Sequence, residues 1–177
     1  PKLEGNELKY LTECITSGWI SSEGPFVRRF EEDFSSFIGC DYGVAVSNGS
    51  AALDIAIRAL ELPKDSEVIM PSFTIISPAQ SCFNSGLKPV FVDQDLDTWN
   101  MNVSQIEAKI TSKTKVILVV HIYGLPVDME PIMILAEKYN LTVIEDAAEL
   151  HCQIYKNKNV GSIGHISTFS FYPNKHI

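Results

Sequence analysis

The chain has 177 residues, 45% of them hydrophobic and 10% aromatic, enough to bury a sizeable core in one or two domains. Fourteen Lys and Arg against 22 Asp and Glu leave a net charge of -8, which repels phosphate backbones and anionic headgroups and argues against nucleic acid or acidic membrane as a partner. Apolar runs such as 116–120 reach about five residues where a membrane span needs roughly twenty.

In chain order, residues with helical apolar spacing at 8–17 and 27–38 predict two helices, followed by a β-branched strand at 42–46. A helix at 50–60, with Leu53, Ile57 and Leu60 on one face, precedes a strand at 67–70 and a helix at 75–85. Strands at 89–92, 115–121, 142–145 and 166–171 then frame helices at 103–110 and 128–139. Gly39 and Gly86 mark helix ends, and Ser104 before Glu107 and Asp128 before Pro131 mark starts. Alternating strands and helices predict an α/β fold with a mostly parallel sheet covered by helices. Nothing in the composition marks a domain boundary, so a single globule is expected.

Cys14, Cys40, Cys82 and Cys152 lie far apart without a Cys-x-x-Cys pair, which reads as reduced thiols rather than a zinc ribbon or disulfide framework. His121, His151 and His165 lack metal-ligand spacing and read as polar fillers or second-line supports. The first residues show no basic segment followed by an apolar one, and a cytoplasmic location is expected.

In a parallel sheet, ligands collect beyond the carboxyl ends of the strands. Three such ends carry polar groups. Ser47-Asn48-Gly49-Ser50-Ala51 turns from a strand into a helix whose free amides and dipole can hold an anion, or is an ordinary Asn or Ser cap. The chain lacks both G-x-x-x-x-G-K-[ST] and G-x-G-x-x-G, so a single phosphate suits it better than a nucleoside triphosphate or a dinucleotide. The apolar strand at 142–145 delivers carboxylates at its end, and Asp146 there needs a cation or donor if buried; a cap or salt bridge is the plainer reading, and a paired-carboxylate glycosidase stays open. Lys175 follows the strand that carries Ser170, either as a solvated surface amine or, in a dry pocket, as a nucleophile.

Six blocks, Asn48-Gly49-Ser50-Ala51-Ala52-Leu53, Pro71-Ser72-Phe73-Thr74, Pro89-Val90-Phe91-Val92-Asp93, His121-Ile122-Tyr123-Gly124, Ile144-Glu145-Asp146-Ala147-Ala148-Glu149 and Ser170-Phe171-Tyr172-Pro173-Asn174-Lys175, occur in the order seen in DegT/StrS-type sugar aminotransferases, which the whole chain resembles. Within them, Gly18-Trp19-Ile20-Ser21-Ser22 and Asp97-Thr98-Trp99-Asn100-Met101 look most like the GDP-perosamine synthase branch.

The resemblance implies an aspartate-aminotransferase-type (fold type I) large domain, of which residues 1–177 form the N-terminal part, and pyridoxal 5'-phosphate as cofactor. Lys175 would bind the cofactor covalently and shuttle a proton, and Asp146 would face the pyridine nitrogen. Gly49, Ser50, Ala51 and Ser170 would hold its phosphate, and Glu149 would lie near its phenolic oxygen. The implied reaction is amino transfer from glutamate to a nucleotide-linked 4-keto-6-deoxy sugar, by a homodimer, for cell-surface polysaccharide. Two departures accompany the match. Ile75 stands where many relatives carry a ring-stacking aromatic residue, and relatives run about twice as long, so the 177-residue chain alone is expected to bind cofactor weakly and not to turn over. Two alternatives stay open: a sugar 3-dehydratase relative, in which histidine replaces the lysine, and a non-catalytic homologue acting as a structural partner.

Overall fold

The structure, a computed structural model, describes residues 3–175, and contacts divide the chain into two compact units, one running to Ala45 and the other starting at Val46. The first unit holds helices α1 (Glu7–Ser17) and α2 (Pro25–Ile38), each ended by a glycine in left-handed backbone, Gly18 and Gly39. Tyr10 and Phe26 place their rings 5.4 Å apart, and the Arg29 guanidinium lies 4.5 Å and 4.6 Å from their centroids.

The second unit follows the alternation: α3 (Gly49–Arg58), β1 (Glu67–Pro71), α4 (Ser77–Asn84), β2 (Lys88–Val92), β3 (Thr114–Val120), α5 (Met129–Tyr139), β4 (Thr142–Asp146), a short hairpin of β5 (Ile154–Tyr155) and β6 (Lys158–Asn159), and β7 (Ile166–Thr168). Five strands form one parallel sheet in the order β2-β1-β3-β4-β7, as the alternation predicts. The strand order reverses between β1 and β3, which opens a crevice at their carboxyl ends.

The sheet is apolar on both faces because strand side chains alternate. Val68, Met70, Val116, Leu118 and Ile144 pack under α3 and α4, through Leu53, Ile57 and Cys82. Ile69, Ile117, Val119 and Val143 pack on the other face against Met129, Ile132 and Ala136 of α5 and against Met101 and Ile106. With Ile144 on the α3 side, alternation sends Asp146 to the same side and Glu145 to the opposite one. No helix among the described residues is long and apolar enough to cross a membrane.

Three elements differ from expectation. Residues 42–46 are extended but form no ladder with any described strand; the Ala45 N–H instead donates to the Glu31 carboxylate at 2.8 Å, and a side chain at Gly43 would collide with the Glu31 carbonyl of α2. Residues 103–110 form two 3-10 turns, Val103–Gln105 and Glu107–Lys109, in place of one helix; Ile106 is fully buried and Val103 and Ile110 pack partly against the same core. The last strand pairs only as far as Thr168, where β4 ends opposite it at Asp146. The β5–β6 hairpin carried no sequence prediction; its turn residues Lys156 and Asn157 both take positive φ, the geometry of a tight two-residue turn.

Candidate active site

The carboxyl ends of β1, β3, β4 and β7 gather most of the polar groups singled out in the sequence. Asp146, the last residue of β4, is 3% exposed, and its carboxylate accepts one hydrogen bond from the described residues, from Ala148 N–H at 3.1 Å. Burial pushes its carboxyl up from 3.8 to about 6; the Ala148 N–H, His121 and Lys175 pull it down, and the Glu149 charge adds to the rise. Lys175 is therefore close enough for its charge to act on Asp146. Its Nζ also donates to Glu149 Oε1 at 3.2 Å, and both side chains are largely shielded. The other Glu149 oxygen accepts the Tyr123 N–H at 3.2 Å, which ties the segment after β3 to the same cluster.

The second group sits at the start of α3, on the sheet face toward which Asp146 points. Asn48 caps the helix by accepting the Ala51 N–H at 2.9 Å. That amide is thus occupied, and the first-turn N–H groups of Gly49 and Ser50 have no partner among the described residues. Gly49 lies against Ser170: a Cβ on Gly49 would stand 3.2 Å from Ser170 Cβ, a tight contact that glycine avoids at this close approach of helix and strand end. Ser50 Oγ and Ser77 Oγ share a hydrogen bond of 2.8 Å, which brings in the start of α4. Thr74 Oγ1 and Thr168 Oγ1 are buried without a hydrogen-bond partner among the described residues.

A third arrangement escaped the sequence reading. Glu145 is fully buried, and its two oxygens accept from Gly161 N–H (3.0 Å), Ile163 N–H (2.9 Å), Gly164 N–H (2.5 Å) and His121 Nε2 (3.2 Å). Burial alone would raise its pKa, but the His121 bond and then the Gly164 and Gly161 amides outweigh it and hold the carboxyl below its ordinary value. His121 Nδ1 accepts the Val127 N–H at 3.1 Å, so the ring proton sits on Nε2 and goes to Glu145. Glu145 thereby fixes the 161–164 turn that feeds β7, and with it the segment bearing Ser170 and Lys175. Ile75 is 60% exposed, and His176 lies outside the described residues.

Of the residues selected from the sequence, the structure joins Lys175, Glu149 and Asp146 in one cluster and Gly49, Ser50 and Ser170 in another at the same end of the sheet. An anion fits the second: the first-turn amides of Gly49 and Ser50 lack a partner among the described residues, Gly49 lies against the Ser170 side chain, and Ser50 carries a hydroxyl on the same turn. A protonated ring nitrogen fits the first, because Asp146 is buried with only one donor from the described residues.

An open parallel sheet with an amine, a buried acid and an anion cradle at its strand ends is the architecture of pyridoxal-phosphate-dependent aminotransferases. The chain belongs to the DegT/DnrJ/EryC1/StrS aminotransferase family, whose model matches residues 1–177. It is 49% identical to a GDP-perosamine synthase of Escherichia coli O157:H7 over the whole chain and 49% of that protein. Among solved structures it is similar to an aminotransferase from Psychrobacter cryohalolentis, with TM-score 0.90 and 40% identity over 99% of this chain and 45% of that one. It is also similar to an E. coli GDP-4-keto-6-deoxy-D-mannose-3-dehydratase with bound hydrated pyridoxal phosphate, with TM-score 0.94 and 28% identity over 100% of this chain and 47% of that one. The chain thus spans about half the length of the relatives it matches.

Proposed function

We propose that the protein is a pyridoxal-phosphate-dependent aminotransferase of the GDP-perosamine synthase kind, acting on a nucleotide-linked 4-keto-6-deoxy sugar with glutamate as amino donor. In this reading residues 1–177 are the N-terminal part of its large domain. It works as a cytoplasmic homodimer in the synthesis of cell-surface polysaccharide. The observation that carries the reading is the convergence of Lys175, Glu149 and Asp146 beside the Gly49–Ser170 cradle.

When bound, the cofactor withdraws electrons from the carbon that carries the transferred amine. This chain's residues supply the rest. The Gly49 and Ser50 amides, with the Ser50 and Ser170 hydroxyls, would hold its phosphate, while the Ala51 N–H is taken by Asn48. Asp146 would hold a proton on the ring nitrogen. Lys175 Nζ would anchor the cofactor and serve as proton carrier at the reacting carbon. Glu149 holds that amine in place, and its bond to Tyr123 fixes its own position. The presence of Lys175 where the 3-dehydratase relatives carry histidine favours amino transfer.

The test is spectroscopic and chemical. Added to the full-length protein, pyridoxal phosphate is expected to give a visible absorbance band that borohydride fixes as a cofactor mass on the peptide containing Lys175; Lys175→Ala loses both. Label on another lysine, or none, overturns the assignment. An amino sugar as product supports the reading, and a 3-deoxy sugar rejects it.

A further inference from the structure

Three aromatic side chains from the carboxyl ends of β2, β1 and β3 meet beside this site. The Phe73 ring lies 5.4 Å from that of Trp99 and 6.2 Å from that of Tyr123, the latter edge to face. Phe73 packs partly into the core, whereas Trp99 is 50% and Tyr123 73% exposed. Both exposed residues have left-handed backbone, φ 62 for Trp99 and 51 for Tyr123, which bulky residues rarely adopt. Such strain persists only where surrounding bonds impose it. Here Asn100, itself buried, imposes it: its Oδ1 accepts the Ile122 N–H at 3.0 Å and its Nδ2 donates to the Leu125 carbonyl at 2.9 Å, so the residue after Trp99 grips the chain on both sides of Tyr123. The Tyr123 N–H is bonded in turn to Glu149, the partner of Lys175.

From this geometry we infer that Trp99 and Tyr123, backed by Phe73, form a ledge that receives the hexose ring of the substrate. The inference rests on the aminotransferase reading above and names the part of the substrate this edge of the site recognises. The ledge is one carboxylate away from the reactive amine, so what lies on it is close to the reacting carbon. That is the hexose; the base is set back by a diphosphate and a ribose. Uncharged aromatic faces suit the C–H face of a pyranose and the methyl group of a 6-deoxy sugar. The strand order reverses between β1 and β3, where Phe73 and Tyr123 stand, and open α/β sheets place ligands at such a point.

The test uses Trp99→Asn and Tyr123→Asn, since asparagine accepts left-handed backbone and removes only the ring. Calorimetry compares GDP-linked 6-deoxymannose, which has no keto group to react, with GDP alone. Each variant is expected to bind the sugar nucleotide roughly five- to tenfold more weakly with GDP affinity unchanged, and Tyr123→Phe is expected to bind as the parent does. Unchanged sugar-nucleotide affinity, an equal loss for GDP alone, or no binding by the parent overturns the inference. So does a shift to smaller species in ultracentrifugation, which would make the ledge a contact between subunits. Binding needs no turnover, so loss of the sugar preference in the ring variants alongside a failed Lys175 labelling would leave the ledge standing and reject only the aminotransferase reading.

Discussion

Asp146 is held in a dry place against its own solvation. Because its folded pKa, about 6, exceeds its ordinary 3.8, its contribution to stability is complete below the ordinary value and is lost as pH rises through about 6. Asp146→Asn keeps an oxygen for the Ala148 N–H and removes the buried charge. It is expected to stabilise the fold at pH 7.5 by on the order of 1–3 kcal/mol, a gain that vanishes near pH 4, while cofactor binding falls. Urea titrations at both pH values check this, and a variant no more stable than the parent at pH 7.5 contradicts it. Glu145 has the opposite sign: its lowered pKa gives stability that is present above the ordinary 4.5 and lost as pH falls through the folded value. Glu145→Ala strands three amides and the His121 proton, with an expected loss of about 3 kcal/mol or more in the same assay. The acidic end of this strand was legible in the sequence, as was the need of Asp146 for a partner. The role of Glu145 was not, because its partners stand 16 to 24 residues away and all but His121 are backbone amides, which no side-chain motif announces.

At the scale of elements, a continuous apolar run identified β3 correctly as a strand covered on both sides. Ile117 and Leu118 face opposite layers and are fully buried, so Ile117→Ala and Leu118→Ala are each expected to cost about 2–5 kcal/mol. Phe91, on the edge strand β2 and 46% exposed, is expected to cost clearly less on the same change; equal losses at all three positions in denaturant titrations would contradict the layered packing. Removing the α3 cap by Asn48→Ala is expected to lose about 1 kcal/mol and to free the Ala51 amide, with thermal unfolding as the measure. Residues 42–46 and 103–110 show the limit of pattern reading. Periodicity reports which way side chains point: 103–110 does turn Val103, Ile106 and Ile110 inward, but as tight 3-10 turns, and 42–46 lacks the neighbouring strand that a ladder needs.

For the whole molecule, the sheet with its helices was readable from alternation alone, but the separation of the segment before Val46 was not, since no change of composition accompanies it. The four free cysteines report on this organisation. Cys152 is exposed, while Cys82 is fully buried and its thiol is pushed up to about 12. A disulfide reagent is expected to label Cys152 at once and Cys82 roughly a thousandfold or more slowly, rising to parity only when denaturant opens the sheet; early labelling of Cys82 would contradict the packing under α4.

The close approach of Gly49 to Ser170 also bears on how the protein comes into being. The two residues are far apart along the chain, so the cradle proposed for the anion closes only after the intervening strands have found their order. On that reading a nascent chain on the ribosome completes most of this sheet before it can take up a phosphate there, and cofactor capture follows the assembly of the sheet rather than starting it.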